Sequence, residues 1–513
     1  MKSITRIVAL LCLLAMVFTV LAACGGNGGN DTSGSGAESQ AAESQEESKA
    51  ELFDGLPNVK YDGDFVILVP GESHGIYASC EVVESDNYTL TLNEALENRN
   101  QLVEERFGVK IAEERVSSVD ELVTLVRNET MAPTGAFDVA TPYIPNAAML
   151  AAEGSLYEFS DLQYIDLTKP CWDQNGVKSL SICGKTYFAT GDMNLIAFAC
   201  THALVFNKDL VKEFGLESPY TVVEEKRWTI DKLREMAGSI TADIDGEPGM
   251  SCKDRYGFLV NQNYVTSMFI GAGQQLVAKD NEDVPYISLL QNTTTAATIF
   301  SKIYDLVNDP TITGKIDATS DSYYSSAVAN GLSCWDAATQ SIANKLALFR
   351  SMAIIDVIDL GEYDCNFGIL PTPKLDPSQD NYRSFVSTIY ATAFCVPSSH
   401  PDPDKASTIV QALCEASTDT TKHAYYDIIL KGRKIQDDES EGMLDIIFNN
   451  RVYDLGVIYG WGGTSQYDTN SIGNFMNTIA FSGGQSMTFA STLESISGKI
   501  QSDLEEDISY FRK

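Results

Sequence analysis

Basic residues are scarce in this sequence: 36 Lys and Arg stand against 71 Asp and Glu, a formal net charge of −35. A chain of that charge repels phosphate instead of releasing counterions from it, which argues against nucleic acid and anionic lipid surfaces as partners. Neither G-x-x-x-x-G-K-[ST] nor G-x-G-x-x-G occurs, so any ATP hydrolysis linked to this protein belongs to a partner. Histidine is rare, with four residues and no H-E-x-x-H spacing. There is no C-x-x-C either. The run Asp243-Ile244-Asp245-Gly246-Glu247 begins like a calcium loop. Pro248, however, stands where that loop requires glycine, and the twelfth position is not Glu, so a solvated turn is expected. No metal and no cofactor is expected. No 20–50-residue repeat is visible, which removes solenoids and propellers.

Long apolar runs are also missing, with one exception. Lys2 and Arg6 precede an uncharged stretch from Ile7 to Ala23, followed by Cys24 and Gly-Gly rather than basic residues. That pattern is an export signal, too short for a comfortable membrane span. Leu21-Ala22-Ala23-Cys24 resembles a bacterial lipobox, which makes 1–23 a lipoprotein signal peptide and Cys24 the lipidated N-terminus of the mature chain. Residues 24–50 are Gly, Ser, Asn, Gln, Ala and Glu with hardly a β-branched side chain, and they read as a flexible tether. Of eleven cysteines, nine then remain, an odd number scattered singly. Several of them sit in apolar contexts such as Ala393-Phe394-Cys395-Val396, where a thiol behaves as a small hydrophobe.

The full chain is 44% hydrophobic and 10% aromatic, and the part from residue 51 onward is too long for one ordinary core. Asp64–Val69 is an apolar run ending at Pro70-Gly71, a buried strand followed by a loop. Leu92 to Phe107 carries apolar residues at helical spacing and stops at Gly108. Val109–Ile111 resumes as strand, Val119–Glu129 as helix and Phe137–Ala140 as a third strand. The order βαβαβ implies an α/β architecture with a parallel sheet covered by helices.

Several short motifs, each weak alone, occur in the order found in one family. Glu104-Glu105-Arg106-Phe107-Gly108-Val109-Lys110-Ile111 is followed by Phe137-Asp138-Val139-Ala140 and by Leu150 to Leu156. Then come Gly184-Lys185-Thr186-Tyr187-Phe188-Ala189, Val205-Phe206-Asn207-Lys208-Asp209-Leu210 and Arg227-Trp228-Thr229. Phe367 to Lys374 and Val396-Pro397 through Lys405-Ala406 complete the series. Together they resemble the extracellular solute-binding proteins of ABC importers, sugar-binding (family 1-like) type. The resemblance implies a two-lobed periplasmic-binding-protein-like fold (type II), its ligand cleft between lobes joined by several chain crossings. It implies lobe 1 over 51–190, lobe 2 over 191–370, a return to lobe 1 over 371–420, and lobe 2 with C-terminal helices over 421–513, with crossings near Gly191 and Leu370. The expected protein is a monomer outside the cytoplasm, held at the outer face of the membrane by its N-terminal lipid. It captures a small organic solute, a sugar or oligosaccharide, and hands it to the permease subunits. The chain departs from the family pattern at Cys200-Thr201-His202, at Thr190 and in its long C-terminal tail, so the ligand class stays open.

Sugars present flat CH faces and rings of hydroxyls, so sites for them combine aromatic platforms with polar side chains. The candidates are Glu72, Ser73 and His74 after the first strand, Tyr143 and Asn146 after the third, and Asp192 and Asn194 at the first crossing, as hinge or ligand residues. Trp335 with Asp336, and Trp461 within Tyr459-Gly460-Trp461-Gly462-Gly463, complete the set. Trp228 and Trp172 read as packing residues. Gly71-Glu72-Ser73-His74-Gly75 also fits the nucleophile elbow of an esterase, but the segment after it reads as irregular where a helix is required, and His400 or His423 would have to complete a triad. A glycosidase with two unmarked carboxylates is a further reading. A ligand-sensing lipoprotein and a peptide or polyamine binder are others in the binding class. No catalytic residue is assigned.

Overall fold

The computed structural model describes residues 52–431, 438–482 and 488–513; the side chains of 72–74, 427–431 and 438 lie outside that description, as do Cys24, the signal and the tether. The chain divides into a unit ending at Asp54, of which only 52–54 are described, and a unit from Gly55 to Lys513 that carries everything below.

The first lobe is built on β1 (Asp64–Pro70), flanked in parallel by β2 (Lys110–Val116) and β3 (Val139–Ala140). As the central strand, β1 is covered on both faces, and Phe65, Ile67, Leu68 and Val69 are fully buried. Helix α1 (Leu90–Phe107) connects β1 to β2. Thr89 Oγ1 caps its start by accepting the Leu92 N–H, and Gly108 ends it at φ 76°. Its face of Leu92, Leu96, Val103 and Phe107 is buried, each side chain stabilising the lobe by about 1.5–3 kcal/mol. Helix α2 (Val119–Met131), capped by Ser118, and α3 (Ile144–Ala152) complete the βαβαβ order. The expected helices are matched to within two residues, while β2 runs further than expected and β3 is shorter.

The chain leaves this lobe over residues 191–201, through the short helix α4 (Leu195–Ala199), and enters β4 (His202–Asn207). Gly191 is required here: a Cβ would lie 2.8 Å from the Cys171 carbonyl oxygen and closer still to Cys414 Sγ. The second lobe holds a five-stranded sheet with β4, β5 (Tyr256–Val260), β6 (Thr313–Lys315), β7 (Ala347–Ala353) and β8 (Phe367–Leu370) in the order β8-β4-β7-β5-β6. β5 runs parallel to β6 and β7; β4 runs antiparallel to β7 and β8.

The second crossing differs from expectation. Residues 371–386 stay with the second lobe: Trp228 Nε1 donates to the Pro371 carbonyl (2.9 Å), Gln379 Nε2 to Gly271 O (2.9 Å) and Tyr382 OH to Val223 O (3.0 Å). The chain crosses back at 386–392, antiparallel to the first crossing, with Thr201 paired to Val386 and the Ser387 N–H on Cys200 O. It then joins the first lobe, where Cys395 pairs with Ala140 and Phe394 with Ala189. Helix α5 (Pro403–Thr418) and α6 (Thr421–Lys431) both pack on α1 of the first lobe. Within 421–513, expected to hold lobe 2 and the C-terminal helices, α6 thus lies on the first lobe and α7 (Asp438–Asn449) packs on β8 of the second. The final helix, α8 (Phe489–Phe511), touches α3 of one lobe and the helix Thr293–Val307 of the other.

Candidate functional site

Except for β4, which starts at the first crossing and runs the other way, the strands of both lobes point their carboxyl ends toward the crossings, the position in which open α/β sheets present ligand loops. After β1, Gly71 approaches the Val116 carbonyl so closely that a Cβ would collide with it, and a 3-10 segment, Glu72–Tyr77, follows. After β3 comes Thr141-Pro142-Tyr143. From the second lobe come the loop after β5, Asn261 to Asn263, and the turn after β7, Ile354–Asp356.

Three tyrosines meet at this junction. Tyr390, in the second crossing, stacks on Tyr77 with ring centroids 4.4 Å apart and planes 23° from parallel. The edge of Tyr143 meets it at 5.5 Å and 81°. Tyr77 and Tyr390 are only half-buried. The Tyr77 hydroxyl reaches across to Asp356 Oδ1 of the second lobe (3.4 Å), a direct link between lobes. Burial pushes the Asp356 carboxyl up, with Arg350 opposing it. Beside Tyr390, a small pocket of 30 Å³ is lined by Asn263, Thr388, Gln466 and Tyr467, the last 57% exposed. Thr388 Oγ1 and Gln466 Oε1 are buried there without a hydrogen-bond partner among the described residues. Buried polar atoms are normally paired, so the Thr388 hydroxyl and the Gln466 Oε1 acceptor keep hydrogen-bonding capacity, and the pocket beside them has room for about one water.

Along the chain around Gly75, Ile76 and Ala78 lies a cavity of 890 Å³, within the range of small-molecule sites. Ile76, Tyr88, Glu113 and Arg115 line it from the first lobe, Ile355 and Ile358 from the second, and Tyr425 from α6. Its polar wall is ordered: Arg115 pairs with Glu113 at 2.8 Å and donates to Ser79 O (2.9 Å), and Tyr88 OH donates to the same carbonyl (2.8 Å). A mostly apolar cavity with a few fixed polar groups suits an uncharged organic solute.

The expected site residues separate into groups. Tyr143 is in the aromatic cluster, and Asn146 is half-buried in the first turn of α3. The backbone of Glu72, Ser73 and His74 lies in the 3-10 segment at the end of β1, but their side chains fall outside the described residues. That segment carries the G-x-S-x-G run without the α-helix an elbow needs. His400 sits at the other end of β1, 3.3 Å from Asp138, beside Lys405, whose Nζ reaches Asp64 O. Asp192 is buried and held by Lys422 Nζ and Thr418 Oγ1, both at 2.8 Å; Asn194 Oδ1 accepts the Gly191 N–H (2.9 Å). Both fasten the first crossing. Trp335 is 46% exposed in the first turn of the helix Cys334–Ala343, with Asp336 exposed beside it. Neither Trp335 nor Asp336 lines the two cavities described above. Trp461 is elsewhere: 3% exposed, stacked on Tyr459 at 5.1 Å, with Nε1 donating to Asp507 Oδ2 of α8 (2.7 Å). Asp243, Asp245 and Asp254 cluster, but Asp254 accepts the Ile244, Asp245 and Ser251 N–H groups and so shapes its own loop. Tyr77, Tyr390, Tyr467, Thr388 and Gln466 were not expected; aromatic residues inside loops at strand ends were the available signal.

The family model for bacterial extracellular solute-binding proteins matches residues 101–429, well over half of the chain. No curated protein sequence matches significantly. Among solved structures, a cyclo/maltodextrin-binding protein complexed with maltotetraose superposes with a TM-score of 0.55 at 15% identity, covering 88% of this chain and 98% of the other. A family 1 extracellular solute-binding protein from Bifidobacterium longum subsp. infantis gives 0.54 at 14%, covering 86% and 99%. UspC from M. tuberculosis gives 0.53 at 13%, covering 85% and 100%. At these identities the likeness is one of fold, and the fold is the two-lobed one.

Proposed function

We propose, since the chain belongs to the bacterial extracellular solute-binding proteins, that it captures a sugar or oligosaccharide between its two lobes and delivers it to the permease of an ABC importer. The observation that carries this reading is the tyrosine cluster where both crossings meet: half-exposed aromatic faces beside Thr388 and Gln466, whose Oγ1 and Oε1 atoms lack partners among the described residues. Aromatic faces take the CH surface of a sugar and the polar atoms take its hydroxyls. The solved relative with maltotetraose bound has the same fold. Trp335 on the facing lobe supplies a second platform, so a ligand touching both lobes favours their closed arrangement, which a permease can distinguish from the open one. Tyr143, Asn146 and the segment Glu72 to His74, at strand ends of the first lobe, and Trp335 and Asp336 of the second are the proposed ligand contacts. No chemical step is assigned to the site. The protein acts outside the cytoplasm, held to the membrane by lipid on Cys24.

A thermal-shift screen of mono- and oligosaccharides, di- and tripeptides and polyamines tests the ligand class, since a molecule that binds only the folded state raises the melting temperature. Stabilisation by a sugar is expected. Stabilisation by peptides or polyamines alone would overturn the sugar assignment and leave transport standing.

A further inference from the structure

One buried carboxylate lies between the two crossings, and the ligand contacts do not use it. Glu81 is 0% exposed. Its Oε1 accepts the Ile196 N–H of the first crossing (2.9 Å) and the Thr392 hydroxyl of the second (2.9 Å), and Oε2 also faces Thr392 Oγ1 (3.1 Å). Ser79 Oγ is 3.5 Å from Oε2. Asn194 Nδ2 of the first crossing donates to the same Thr392 hydroxyl (3.4 Å), so one carboxyl and one hydroxyl fasten both crossings to the first lobe.

The cation nearest this carboxylate is Arg99 of α1, also 0% exposed. Its hydrogen bonds go to the carbonyls of Glu81 and Val82 (both 2.6 Å) and to Asn100 Oδ1 (2.7 Å), so it offsets the charge from a distance. The other ionisable groups facing Glu81 are Cys80 on its own segment, Tyr143 after β3, Cys200 at the end of the first crossing and Tyr425 of α6. All four are neutral near pH 7, since burial raises each of them. Loss of water raises the Glu81 carboxyl to about 7, against the Ile196, Thr392 and Arg99 interactions that lower it.

We propose that Glu81 is a positioning residue for lobe closure: packed between the two crossings, its carboxylate is denied water, so ionisation favours the arrangement in which they part, and the packed arrangement of the lobes gains on the open one as pH falls. The proposal rests on the closing mechanism proposed above. The sign follows from linkage. Any arrangement that separates the crossings admits water and lowers the affinity of Glu81 for its proton, so protons favour the packed arrangement. Each unit of difference between the two arrangements shifts their ratio by up to tenfold across the titration.

The test needs no ligand. The Ile196 amide resonance of ¹⁵N-labelled, deuterated protein and the radius of gyration from small-angle scattering are followed together from pH 5.5 to 8.5. Both are expected to titrate with a common midpoint near 7, the radius growing with pH. In Glu81→Gln, which keeps the shape and an acceptor for Ile196, neither should titrate. Thr392→Val, which removes a bond that favours the ionised form, should move the midpoint upward. Unvarying wild-type signals across this range, or an unchanged titration in Glu81→Gln, would overturn the proposal. The same scattering measurement with the sugar panel separates the two levels. A radius that contracts with a sugar but ignores pH overturns the role of Glu81 alone, while one that responds to neither overturns it together with lobe closure.

Discussion

Replacing Tyr390 by Ala removes the ring on which the site is built. The ring stacks on Tyr77 and meets the edge of Tyr143. Each such pair contributes about 0.5–1.5 kcal/mol beyond its buried area, so the remaining two rings lose the partner that orients them. A tyrosine face covering about 50–80 Å² of a sugar, at about 25 cal/mol per Å², supplies a further ~1.3–2 kcal/mol of binding. The expected loss of affinity is about 1.5–3 kcal/mol, or tenfold to somewhat over a hundredfold in Kd. Tyr390→Phe keeps the ring and should stay within about threefold of wild type. The assay is isothermal titration calorimetry with the sugar that gives the largest thermal shift, well below the melting temperature of the variant. An affinity for Tyr390→Ala within twofold of wild type would show that the cluster is packing and that the ligand is bound elsewhere.

Trp461→Phe should lower stability by about 1–3 kcal/mol, because it leaves the half-buried Asp507 carboxylate without its donor, and should leave sugar affinity unchanged; denaturant unfolding and calorimetry separate the two effects. Stability is expected to fall as pH rises through about 7, because folded Glu81 holds its proton above the unfolded value of 4.5. Its contribution is fully present below about 4.5 and lost above about 7, to the extent of about 3 kcal/mol, and Glu81→Gln should flatten the unfolding profile between those limits. Gly191→Ala should destabilise the crossing, read as a lower melting temperature, since the added Cβ meets Cys414 Sγ and the Cys171 carbonyl. Cys24→Ala should move the protein from the membrane to the soluble fraction; retention in membranes with an uncleaved N-terminus would favour a spanning segment instead.

The strands and helices of the first lobe were legible because each is a local pattern: β1 is an unbroken apolar run, and α1 has its cap at Thr89 and its stop at Gly108. The second crossing was not. Pro371 to Tyr382 reads as the end of a strand followed by a loop, and it is held to the second lobe by distant contacts such as those to Trp228, Gly271 and Val223, more than a hundred residues away in each case. Placing the crossing near Leu370 hid Tyr390, which acquires its role only by lying between the lobes. Trp461 misled for the opposite reason. A tryptophan among glycines looked like a loop ring offered to a ligand, but Asp507, 46 residues further on, takes its N–H and the ring joins the core. Glu81 carried no local mark at all, since its partners Ile196 and Thr392 are separated from it by 115 and 311 residues.

Capture between the lobes is tested most directly by a crystal structure of the protein with the best-stabilising sugar from the screen. The expected density lies against Tyr390 and Tyr143 on one side and against the second lobe at Trp335 or the turn after β7 on the other, with a hydroxyl within hydrogen-bond distance of Thr388 or Gln466. A sugar bound to one lobe only, or on an outer surface with the Tyr77–Tyr390 stack untouched, would contradict it.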